Sequence, residues 1–260
     1  MVTKTFQKMY ELIPAKESSQ FKIIHRKISE EEVKFQKLKN IWDEKQYMEV
    51  YGLTPGTYVV LGNKKNGETI MSDTWMEQYT NHEIIEKANG NVLIAGLGIG
   101  LIILPIQAKE CVKSIVIIEK YQEIIDLVLP HLPLNNKVKV ICADIDTYEP
   151  KNNIKFDTIY FDIWNNITAD NYPQMKDLHK KFRKFLNNKV NPNCFIESWR
   201  RSDCRRLDKE NRKYDYNDVA KQFKITDEKI RRAILKNDLK LQRNKLILES
   251  EKYKEVQRNE

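Results

Sequence analysis

The chain has only four cysteines in 260 residues: Cys111, Cys142, Cys194 and Cys204. No two of them stand as C-x-x-C. The spacing of a zinc knuckle or a disulfide framework is therefore missing, and the expectation is free thiols and no metal centre. No hydrophobic run approaches the roughly 18 residues that cross a bilayer, so no membrane partner is expected. Residues 1–6 show no apolar core followed by a cleavage site, and the expected setting is the cytoplasm. There is no internal repeat and no low-complexity tract. Glycine is also scarce, at 8 residues, yet three of the eight fall within five positions.

Those three organise the chain. Residues 92–95 are apolar, enough for a buried strand. Gly96, Gly98 and Gly100 follow at alternate positions, and Leu101, Ile102 and Ile103 reopen an apolar run that suits a helix. Strand, glycine turn and helix start together make a corner that cradles anions or nucleotides. Glycine is needed there because a Cβ would keep a ligand off the backbone. A dinucleotide fold wants G-x-G-x-x-G, which would put its third glycine at 101; that position is Leu101.

Three more apolar runs follow, each ending in polar residues. Residues 114–118 lead into Glu119, residues 138–142 into Asp144, and residues 156–161 into Asp162. Ligands of open parallel sheets bind at the carboxyl ends of their strands. An acid in the place of Glu119 can accept from both ribose hydroxyls of an adenosyl group. On this reading Glu119 is purely a ligand contact, removable without harm to the fold. A fifth strand is expected over 193–199. Helices are expected over 121–129, stopped by Pro130, and over 169–186 with Met175, Leu178, Phe182 and Leu186 inward. Pro105 should shorten the helix after the glycines.

Before this core, Ser29 and Glu32 read as a capping box opening a helix through Val33, Phe35 and Leu38. Asn66-Gly67 between two apolar runs reads as a β-hairpin turn. A helix is expected through residue 85, with Gly90 as its C-terminal stop.

The G-x-G-x-G spacing, with Glu119, Asp144 and Asp162 in order, resembles class I S-adenosylmethionine (SAM)-dependent methyltransferases and spermidine synthases, over about residues 55–200. The resemblance implies an α/β, Rossmann-like class I methyltransferase fold with a mostly parallel sheet. It implies SAM as cofactor and S-adenosylhomocysteine (SAH) as product. Gly96, Gly98 and Gly100 would meet the methionine portion, Glu119 the ribose, and Asp144 the adenine amine with Ile145 as an apolar flank. Asp162 would be the catalytic carboxylate, orienting an acceptor amine or the SAM ammonium. Trp164 beside it would stack on a planar group or face a cation. Asp73, Tyr79, His82 and Glu83 look similar in order to a loop that faces the ligand in spermidine synthases.

The chain also departs from that pattern. The family's acid within the glycine loop is replaced by Ile99, and no second Asp or Pro comes shortly after Asp162, where the chain reads Ile163-Trp164-Asn165-Asn166. No N/D-P-P-Y/F tetrapeptide follows the fourth strand, which argues against methylation of DNA-base amines, and no Pro-Cys pair serves a cytosine-5 mechanism. The expected function is methyl transfer to an unknown acceptor, a small molecule or another. The alternatives are an aminopropyltransferase of polyamine synthesis using decarboxylated SAM, and a non-catalytic SAM- or nucleic-acid-binding regulatory protein.

The expected organisation is a β-rich segment at 1–70, a SAM-binding domain at 71–200 and a basic helical tail at 201–260. The tail holds 18 Lys and Arg against 12 Asp and Glu, most of the chain's net +8. Residues 219–234 have the spacing of a helix-turn-helix, with Lys224 where the turn glycine usually stands. Nucleic acid is one expected partner of the tail. Packing on the core, or on a second copy in a homodimer, is the other expectation.

Overall fold

The computed structural model describes residues 7–40, 51–151 and 153–213. The chain divides into two compact units, Met1–Cys204 and Arg205–Glu260. The helix-turn-helix expectation lies outside the described residues.

The first unit opens with an antiparallel sheet in the order β1-β2-β3-β4. Its strands are β1 (Lys16–Glu17), β2 (Phe21–Ile28), β3 (Gly56–Asn63) and β4 (Thr69–Ser72). The hairpin between β3 and β4 turns at Asn66-Gly67, where Gly67 has φ +71° and its N–H reaches the Asn63 carbonyl at 2.9 Å. The expected break at residue 70 falls inside β4. Helix α1 (Glu30–Lys39) starts at Ser29, whose hydroxyl accepts the Glu32 N–H at 3.1 Å. Only half of the capping box forms, because the Glu32 carboxylate pairs with Arg26 instead.

The single helix expected before the core is broken in two, α2 (Trp75–Thr80) and α3 (His82–Lys87). Asn81 causes the break. Its buried side chain donates to the Glu77 carbonyl at 3.1 Å and accepts from the Tyr160 hydroxyl at 3.1 Å. A side chain that binds backbone in this way competes with helix propagation. Gly90 does not end a helix; it is the first residue of the next strand.

A five-stranded parallel sheet then carries the core, in the order β7-β6-β5-β8-β9. Its strands are β5 (Gly90–Ala95), β6 (Val112–Glu119), β7 (Val138–Cys142), β8 (Thr158–Phe161) and β9 (Phe195–Ser198). The continuous apolar runs are explained by burial on both faces. On one face Val92, Ile94, Ile115 and Ile117 share a core with Phe21, Ile23, Val59 and Leu61 of the antiparallel sheet. On the other, Leu93, Ala95, Ile159 and Phe161 pack against Leu178 and Phe182. The N-terminal sheet and the parallel sheet are therefore built around shared hydrophobic residues.

The connecting helices are short. Helix α4 (Ile103–Gln107) has five residues and contains Pro105, the expected shortening. Helix α5 (Gln122–Val128) gives way to a 3-10 turn that contains Pro130. Helix α6 (Asn171–Phe182) buries Met175, Leu178 and Phe182, and α7 (Arg201–Lys213) follows β9. Among the described residues, no helix is long and apolar enough to cross a membrane.

Candidate functional site

In the parallel sheet the chain runs outward from β5 through β6 to β7, then crosses to β8 on β5's other side. The crevice above the strand ends at such a reversal is where open sheets bind ligands. A cavity of about 280 Å³ lies there. Among its lining residues are Gly96, Gly98, Glu119, Asp144, Ile145, Asp162 and Trp164. Residues far apart in sequence meet because each follows the carboxyl end of a neighbouring strand.

The glycine corner is held tightly. Gly96 has φ +100°, and a Cβ there would overlap the Asp162 carbonyl oxygen. Gly98 lies directly beneath the Met71 sulfur, which leaves no room for a side chain. The Ile99 N–H also points at that sulfur, at 3.5 Å. Ile99 itself is fully buried, so the site of the missing loop acid is filled by packed hydrocarbon. Gly100 differs from the expectation. It is absent from the lining; its α-carbon faces Leu132, and its N–H closes the turn onto the Leu97 carbonyl at 2.9 Å.

Glu119 is buried, and its carboxylate is bound on both oxygens. It accepts from the Leu97 N–H at 2.9 Å and the Tyr121 N–H at 2.9 Å. Burial raises its pKa and these two bonds oppose that rise. It therefore staples the glycine turn to the end of β6, a structural duty that its sequence position did not announce. The lone pairs left on the two oxygens remain available to a ligand. Asp144, at the end of β7, is held by Lys120 at 2.8 Å, and that cation lowers its pKa. Trp164 donates its indole N–H to Gln174 at 2.9 Å, and Gln174 donates to Asp146 at 2.8 Å. Helix α6 thus bridges the loops after β7 and β8.

Asp73 is not at the cavity. It is buried, and its carboxylate accepts the backbone N–H of Val59 at 2.7 Å and of Met9 at 3.3 Å. Its role in the structure is to tie the N-terminal turn to β3. Tyr79, His82 and Glu83 are exposed and also lie off the lining. Tyr79 stacks on Trp75, His82 faces Glu86, and Glu83 pairs with Lys87.

The residue of this segment that does reach the cavity is Glu77. The sequence held a signal for it. Glu77, Asn81, Ile84 and Ala88 form an inward stripe at helical spacing, polar at its first end. Glu77 and Asp162 are both half-buried. Desolvation pushes Asp162 up to about 7. Desolvation, with the nearby charge of Asp162, pushes Glu77 up to about 8. Among the described residues no cluster suited to a metal ion occurs.

No protein-family model matches the chain, and no curated protein does. Solved structures do match in part. Spermidine synthase from Thermotoga maritima is 18% identical, with 49% of this chain and 45% of that one covered and a TM-score of 0.38. The plantazolicin methyltransferase BpumL in complex with SAH is 21% identical, covering 43% and 41%, at 0.30. An S-adenosylmethionine-dependent methyltransferase from Clostridium acetobutylicum is 18% identical, covering 44% and 48%, at 0.32. The chain spans less than half the length of each. Likeness at this level says nothing of activity, and the fold stands on its own strand order.

Proposed function

We propose that this chain is a SAM-dependent transferase, most simply a methyltransferase acting on a small-molecule acceptor. The supporting observation is the convergence of the glycine corner, Glu119, Asp144 and Asp162 on one cavity at the sheet's reversal point. The residues fit an adenosyl ligand. Gly96 and Gly98 line the cavity with bare backbone, and packing against the Asp162 carbonyl and the Met71 sulfur excludes a side chain at either. Glu119 keeps free lone pairs for ribose hydroxyls. Asp144 is ionised beside Lys120 and accepts from an amine, and Ile145 is a buried apolar flank.

SAM, when bound, supplies an electrophilic methyl carbon on a positively charged sulfur. The protein's share of the work is alignment and exclusion of water, because an in-line displacement needs little covalent help. Gly96 and Gly98 let the ligand approach backbone. Glu119 and Asp144 would hold its ribose and its adenine. Asp162 stands where the reacting atoms would meet, and Trp164, anchored by Gln174, walls that end. Isothermal titration with SAM and SAH tests the reading. Micromolar dissociation constants are expected, and no heat below millimolar concentration overturns it.

The second reading is aminopropyl transfer from decarboxylated SAM. The acid pair of Glu77 and Asp162 favours it, since an amine acceptor is drawn to carboxylates. The buried Ile99 in place of a loop acid weighs against it. A strong preference for decarboxylated SAM in competition would reverse the order.

A further inference from the structure

Every other carboxylate lining the cavity has a partner. Glu119 is bound by two backbone amides, Asp144 by Lys120 and Asp146 by Gln174. Glu77 and Asp162 alone have no hydrogen-bond donor on their carboxyls among the described residues. Both are half-buried and open to the cavity, so a ligand or water must supply the donors that the protein does not.

The position of Glu77 is not accidental. Helix α2 is fixed to the parallel sheet through two hydrogen bonds near its C-terminal end. The Tyr160 hydroxyl donates to Asn81, and the Trp199 indole N–H donates to Thr80 at 3.1 Å. Tyr160 is on β8, two residues before Asp162, which follows the end of that strand. The bonds that hold α2 therefore also hold Glu77 over the strand end that bears Asp162.

We propose that Glu77 belongs to the reaction centre, where it and Asp162 form a two-carboxyl unit that takes the proton an acceptor loses. The inference rests on the transferase reading for the reaction served. As the acceptor's lone pair forms the new bond to carbon, the carbon–sulfur bond breaks and its electron pair leaves with sulfur. The acceptor then holds one proton too many. That proton passes to the ionised carboxylate of the unit, and water removes it after product leaves. Two acids serve better than one, because neighbouring carboxylates in a dry site resist ionising together. The second acid thereby lifts the proton affinity of the first towards the working pH. The other charged groups around the unit do not neutralise it. Tyr160 on β8 feels the charges of both acids and, beyond them, of Glu197 and Glu83; Glu83 is paired with Lys87 and Glu197 faces Arg201, so those cations are engaged. On the β6 and β7 side Glu119 and Asp146 have partners, and Lys120, the one cation of the lining among the described residues, is bound to Asp144.

The test is a carbon-13 NMR titration of the full chain, labelled at Asp and Glu carboxyl carbons, first without ligand and then with saturating SAH. Two carboxyls should titrate between about pH 6 and 9, far above ordinary side-chain values. Asp162→Asn should leave one of them, with the Glu77 midpoint lowered by roughly half a pH unit or more, since interacting sites must shift each other. Glu77→Gln should leave only Asp162. Saturating SAH should move both native midpoints. A Glu77 midpoint in the ordinary carboxylate range, or one unmoved by Asp162→Asn, overturns the proposal. If Glu77→Gln fails to fold, Asp162→Asn alone decides. If SAH gives no heat and no shift, the SAM reading falls, and the ligand-free titration still decides whether the two acids form a unit.

Discussion

The two ends of the cavity are built on opposite principles. At the glycine end, Glu119 spends both oxygens on backbone amides. At the α2 end, Glu77 and Asp162 spend none. One end is rigid because its polar groups are satisfied from within. The other stores unmet hydrogen-bonding capacity that substrate or solvent must meet. The first end suits holding a ligand, the second changing one.

The largest effect expected is at the satisfied end. Glu119→Ala strands two buried amides, each costing about 1–3 kcal/mol. We expect a loss of roughly 2–5 kcal/mol in urea denaturation and at least about 100-fold weaker SAH binding by calorimetry. Stability within ~0.5 kcal/mol of native would mean that Glu119 serves the ligand alone, and the contrast between the ends would fail.

Next comes pH, which acts at the unsatisfied end. Asp162 is raised to about 7 and Glu77 to about 8. The folded state thus binds protons that the unfolded chain releases at ordinary carboxylate pH. Stability from this source is full below about pH 4 and is lost as pH rises through 7 and 8. Melting temperature should fall by several degrees between pH 5 and 8.5. Glu77→Gln and Asp162→Asn combined should flatten that slope. A native protein as stable at pH 8.5 as at pH 5 would show both acids to be solvated.

Gln174→Leu should cost about 1 kcal/mol, with a several-fold loss of SAH affinity as Trp164 and Asp146 lose their bridge. Adding Trp164→Phe should then have little further effect on affinity, which a double-mutant cycle measures. The smallest effect is expected from Lys120→Ala. It breaks an ion pair with an exposed lysine, so stability should stay within about 0.5 kcal/mol. SAH affinity should hold or rise slightly, because Asp144 is released to the ligand.

Much of the fold was legible because both faces of the parallel sheet are buried, so its strands read as unbroken apolar runs. Residues 138–142 match β7 end to end. Positions set by tertiary contact were harder. The break at Asn81 involves a tertiary contact as well as a local one, because Tyr160, 79 residues later, reaches its side chain. Asp73 reads as a ligand contact until the amides of Met9 and Val59 are seen to enclose it. Gly96, Gly98 and Gly100 look equivalent in sequence, yet the third faces Leu132 and not the cavity. Glu77 is hard to single out by sequence beside His82 and Glu83, whose residue types carry the more familiar chemistry. Its stripe with Asn81, Ile84 and Ala88 is present in the sequence, and burial shows that it faces inward.

The Met71 sulfur over the glycine turn has a consequence for exchange with solvent. A thioether is a weak acceptor, so the Ile99 amide is covered from water but poorly bound. Methionine's unbranched chain repacks readily. A carboxylate arriving at the turn would displace the sulfur and take the amide proton into a stronger bond. The exchange of that single hydrogen for deuterium should then slow well beyond that of its neighbours, making Ile99 a built-in reporter of occupancy.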